Sequence, residues 1–142
     1  MSIASNVAQA VVSALKTQKF SMPFEPVLSV LPSYEPAELA TLRVSVVPRA
    51  IEIERVTRNS SRYTITIDIG IQKRIDNSPE ETVASLGELT DEINFFLKDN
   101  PLEEFPAAQW NSISNEPLYV PEHLSQKRIF TSVLTVKYIL FD

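Results

Sequence analysis

The segment Arg62–Ile75 alternates in character almost without a break. Tyr63, Ile65, Ile67, Ile69 and Ile71 occupy the odd positions, with Arg62, Thr64, Thr66, Asp68 and Gln72 among the even ones. A period of two sustained this long specifies a strand with one face in a core and the other toward water or a partner. Little around it has the chemistry of an active site, so the chain reads as one that works through its surfaces.

The rest of the sequence supplies what such a strand needs. Ile3, Val7, Val11 and Leu15 recur every four residues, which predicts an amphipathic first helix ending near Thr17 and capped by Ser2 or Ser5. Phe24–Leu31 reads as a strand, followed by the turn-rich Pro32–Pro36. Leu42, Val44 and Val46 then alternate with polar neighbours until Pro48, which donates no ladder hydrogen bond and so marks an edge, bulge or strand end. Ile51 and Ile53 resume an apolar face opposite Glu52 and Glu54, and Arg58-Asn59-Ser60 closes a hairpin onto Arg62–Ile75. Ile51 and Ile53 must share a face with Ile65, Ile67 and Ile69, so only shifts of two residues are permitted. The preferred register sets Glu52 and Glu54 against Thr64 and Thr66, away from Asp68.

Ser78-Pro79-Glu80-Glu81 is a capping box with proline at the first helical position. It opens a helix whose face is Val83, Leu86, Thr90, Ile93 and Leu97, widened by Leu89 and Phe96, and which Asn100-Pro101 ends. A loop carrying Trp110 leads to a long last strand, Arg128–Phe141. The expectation is a single α+β domain over residues 1–142. Its form is a two-layer sandwich, a mostly antiparallel sheet of four to five strands with two helices packed on one face.

Several function classes are disfavoured. The chain of 142 residues has no cysteine, which removes disulfides, thiolate nucleophiles and cysteine-type zinc sites. Its formal net charge of −5 argues against a general nucleic-acid binder, with Lys73-Arg74 and Lys127-Arg128 as its only adjacent basic pairs. No apolar run reaches the roughly 20 residues that span a membrane. The single histidine, His123, has no nucleophile elbow and reads as structural. Adjacent acidic residues on a helix diverge by about 100°, so Glu80-Glu81 and Asp91-Glu92 do not converge on one ion. Glu52, Glu54 and Asp68 share a polar sheet face but lack the acid-x-lysine strand spacing of a metal-dependent nuclease. With two glycines, Gly70 and Gly87, each inside an element, no phosphate-binding loop is possible; each marks a bulge or a close backbone approach. No enzyme, no cofactor and no metal are expected.

Taken in order, these elements resemble small bacteriophage neck proteins of the tail terminator, or tail-completion, family. The likeness runs through the amphipathic first helix, LRVSVVPR at Leu42–Arg49, the hairpin to YTITIDIGIQKRI, the SPEETVASLGELTDEINFFL helix and the closing FTSVLTVKYILF strand. It covers essentially the whole chain, and the blocks TLRVSVVPR and EPLYVPEHLSQKRIFTSVLTVKY look like those of one phage and prophage group. No single motif is diagnostic, and no family residue roles carry over.

The resemblance implies a structural virion protein: a homo-oligomeric ring, hexameric in the family's manner, that caps the tail tube and joins it to the head. Its partners would be the tail tube protein, the head–tail connector or neck proteins and, in contractile tails, the sheath protein. DNA would pass through the lumen without sequence-specific binding, no membrane would be involved, and assembly would take place in the host bacterial cytoplasm. The candidate contact residues are the polar sheet face, Glu52, Glu54, Thr64, Thr66 and Asp68, and the region of Trp110, Tyr119, Lys127 and Arg128. Two alternatives stay open: another phage neck or baseplate part such as a head-completion adaptor, and a non-phage α+β protein-binding module.

Overall fold

The computed structural model of the chain describes residues 2–29, 41–75, 79–116 and 118–142, without the side chains of Pro79, Gln126 and Lys127. The elements follow as α1 (Ile3–Thr17), β1 (Pro26–Leu28), β2 (Arg43–Thr57), β3 (Ser60–Arg74), α2 (Pro79–Asp99), β4 (Gln109–Asn115) and β5 (Ile129–Phe141). The strands form one sheet in the order β1-β2-β3-β5-β4. Only the β1–β2 pairing is parallel. This is the expected α+β sandwich.

Both helices cover the same sheet face. Ile65, Ile67, Ile69 and Ile71 are wholly buried in one cluster with Val7, Val11 and Leu15 of α1 and Leu86, Leu89, Ile93 and Leu97 of α2. Val44 and Val46 of β2 and Leu134, Val136 and Tyr138 of β5 complete it. Helix α1 starts where Ser2 Oγ accepts from the Ser5 amide at 3.1 Å, satisfying one orphan donor of the first turn. At the far end of α2, the Asn100 side chain donates to the Phe96 carbonyl at 2.9 Å. The cap residue Ser78, the Pro32–Pro36 stretch and the last two residues of the strand expected at Phe24–Leu31 lie outside the described residues.

The hairpin register depends on a single inserted residue. Pro48 opposes Ile67 and Ala50 opposes Thr66, so Arg49 has no partner and forms a β-bulge. The insertion switches the phase of alternation: even positions (Val44, Val46) face the helices before it, odd positions (Ile51, Ile53) after it. Beyond the bulge Ile51 opposes Ile65, as the shared apolar face requires. Glu52 opposes Thr64, but Glu54 opposes Arg62 and Thr66 opposes Ala50, a register two residues away from the preferred one. Opposite charge explains the difference: Arg62 Nη2 donates to both Glu54 carboxylate oxygens, at 3.0 and 3.1 Å.

Three further expectations are corrected. Trp110 is not in a loop but in β4, where a register shift between Trp110 and Ser112 breaks the two-residue period and conceals the strand. Of the two roles expected for Gly70 the bulge is excluded, because the β2–β3 and β3–β5 ladders run through it without a shift. Gly87 marks no close approach, since a Cβ there would meet nothing within 4 Å.

Candidate interface

The polar sheet face divides at the bulge. On its body side Asp68 is committed internally: Arg49 Nε donates to Oδ2 at 2.8 Å and Thr135 Oγ1 donates to Oδ1 at 3.0 Å. Three strands, β2, β3 and β5, are thereby clamped at the bulge. Thr66 is buried and Thr64 half-buried. Glu52 and Glu54 lie farther out on the hairpin and are exposed. Asp68 stands four residues from Thr64, the partner of Glu52, which is about 13 Å along a strand. The three carboxylates therefore do not converge, and among the described residues no group of three or more His, Asp or Glu side chains is arranged to hold a metal ion.

The second candidate region is also largely structural. Trp110 is half-buried against the core, with Nε1 enclosed and lacking a hydrogen-bond partner among the described residues. Its ladder neighbour Tyr138 is buried, and that burial pushes the phenol well above its ordinary range. Tyr119 packs its ring 6.2 Å from that of Phe130 and stays partly exposed. Arg128 is exposed and adopts φ 54°, ψ 41° at the end of a five-residue π-turn, His123–Lys127. Its carbonyl accepts from the Ile75 amide at 2.8 Å, so its backbone ties β5 to the end of β3. The Lys127 side chain is outside the described residues. His123 Nδ1 lies 2.9 Å from Thr131 Oγ1 and fastens the π-turn to β5. Glu52, Glu54, Trp110, Tyr119 and Arg128 are thus not one constellation.

A different surface stands out. Every residue of β2 from Arg49 to Thr57 is exposed, including Ile51 at 42%, Ile53 at 60% and Val56 at 52%. β1 covers the edge of β2 only at Val44–Val46, so among the described residues no strand pairs with the outer edge of Arg49–Thr57. Geometry explains it. A 15-residue strand extends about 50 Å, whereas 15-residue α1 spans about 22 Å and 21-residue α2 about 31 Å. The hairpin outruns its helical layer. Sequence reasoning counted Ile51 and Ile53 as core-facing; the available signal was the length of the paired strands against that of the helices.

Concave sites offer little chemistry. A cleft of about 600 Å³ between the end of α1 and residues 18–26 is formed by that segment itself. Its Lys16–Glu25 pair is 4.0 Å apart and exposed, worth little. No helix among the described residues is long and apolar enough to cross a membrane. No protein-family model matches the chain, and a search of curated proteins finds no match.

Proposed function

We propose that the chain is a structural virion protein of the tail-terminator type, assembling into a hexameric ring that caps the tail tube and presents a docking surface to the neck. The observation that carries the reading is the uncovered half of the β2–β3 hairpin. Nine consecutive strand residues expose an edge unpaired among the described residues and apolar side chains that an isolated protomer would be expected to shield. A closed ring of identical copies gives every such edge a partner and leaves no free end to polymerise. The like-signed charge of protomer and DNA, −5 per chain, suits a lumen that lets DNA slide through, since a basic one would retain it. In this reading the tail tube and the head–tail connector occupy the two axial faces.

The test is the mass of the purified chain by light scattering, with negative-stain imaging, alone and with assembled tail tubes. A ring close to six times the 16.0 kDa protomer mass supports the reading. A chain that stays monomeric and ignores the tubes refutes it and favours a protein-binding module.

A further inference from the structure

We infer that the lateral contact of this assembly is a continuation of the sheet, in which the free edge of β2 in one copy pairs antiparallel with β4 of the next. The inference rests on the self-assembling reading above and specifies its interface. β4 is the opposite end of the strand order, so its outer edge is likewise without a strand partner among the described residues. The pairings β2–β3, β3–β5 and β5–β4 are all antiparallel, which leaves β2 and β4 running in opposite directions. A neighbouring copy generated by rotation about an axis along the strands keeps those directions. Its β2 therefore meets β4 as an antiparallel partner.

In the registers centred on the exposed stretch, side-chain chemistry favours this occupant over a second β2. When two copies of β2 pair about a two-fold axis at residue 52, 53 or 54, a glutamate always faces a glutamate: Glu52 on Glu52, Glu52 on Glu54, or Glu54 on Glu54. Like charges directly opposite are destabilising. β4 carries no charged residue. Setting Ile51 of one copy against Ile113 of the next continues the helix-side apolar face, with Ile53 reaching Trp110 across the β4 bulge. The same register places Glu52 opposite Ser112, whose hydroxyl can donate to the carboxylate. One strand farther in, the exposed Lys137 lies directly beside Ser112 on the polar face. Neither Glu52 nor Lys137 has a salt-bridge partner among the described residues. An unpaired anion at one edge thus meets an unpaired cation near the other.

The absence of native cysteine makes the test direct. Antiparallel neighbours lie about 4.5–5.5 Å apart between Cα atoms, within the range of a disulfide. Glu52→Cys combined with Ser112→Cys, and separately Ile51→Cys combined with Ile113→Cys, should oxidise to a ladder of covalent multimers on non-reducing gels. The four single variants should give no ladder and no more dimer than wild type treated alike. A wild type that assembles while neither double variant ladders overturns the edge assignment and leaves the ring reading standing. Quantitative dimers from Glu52→Cys or Ile51→Cys alone overturn it in favour of β2–β2 pairing. A wild type that is monomeric with and without tail tubes overturns both.

Discussion

Ile67 and Ile53 are the same residue on the same face of one hairpin, and the fold assigns them opposite costs of truncation. Ile67 is fully buried between Pro48 and Val136 and beneath the helical layer. Ile67→Ala removes its apolar burial and leaves a cavity that the close-packed sheet cannot collapse, a loss of about 4 kcal/mol. Ile53 is 60% exposed, so about two-fifths of its side chain is covered. Three carbons at about 0.8 kcal/mol each, scaled by that fraction and without a cavity term, give a loss of about 1 kcal/mol for Ile53→Ala.

The assay is equilibrium unfolding in urea followed by the fluorescence of Trp110, the only tryptophan. With a slope of about 2 kcal/mol/M, the 3 kcal/mol difference between the variants separates their midpoints by about 1.5 M. The comparison belongs at a concentration where the chain is monomeric. Where copies associate through the hairpin, the cost of Ile53→Ala should grow with protein concentration while that of Ile67→Ala should not, because association stabilises only the folded state. Equal costs in the dilute monomer would refute the reasoning: the end of the hairpin would then be covered within a single chain and could not be a free interface.

Gly87→Ala should stabilise the monomer by about 1 kcal/mol, because it raises helix propensity at a position where the added methyl meets nothing; thermal unfolding checks it. Arg128→Gly should gain about 1 kcal/mol in the same assay by relieving a left-handed backbone at an exposed side chain. Tyr138 buries a hydroxyl that has no partner among the described residues, so Tyr138→Phe should be neutral or stabilising by up to about 1 kcal/mol at pH 7. Its raised folded pKa has a definite sign: the contribution is full below the unfolded value of about 10 and is lost as pH rises above it. The stability of Tyr138→Phe should therefore fall less with rising pH than that of wild type, read as urea midpoints in a series taken above about pH 10.

Where local rules decide, the sequence was legible. A serine cap at Ser2 or Ser5, of which the structure uses Ser2, the α2 face from Leu86 to Leu97, and the isoleucine row of β3 all follow from period and capping chemistry. Legibility failed where one residue changed the phase. Trp110 and Ile113 are spaced like neighbours on a helix or in a loop, and only the bulge at Asn111 restores them to one face of β4. The hairpin shows the converse, since Val44 and Val46 are even and Ile51 and Ile53 odd. A strand that keeps one apolar face across that change must insert a residue, and Arg49 is that residue, anchored by Asp68.

What alternation cannot encode is coverage. Ile53 and Ile67 satisfy the same pattern, and only the shorter reach of the helices separates a core position from an exposed one. The polar residues chosen for their exposed-face pattern divide on the same ground. Asp68 and Thr66 lie over the body and are consumed by internal bonds and burial, while Glu52 lies beyond it and has no partner among the described residues. Among the described residues, unpaired backbone, exposed isoleucines and an unpaired carboxylate coincide on one stretch of β2. Each alone is common on a protein surface; a single strand from a neighbouring copy would satisfy all three together, which is why the proposed contact is placed on this stretch of β2.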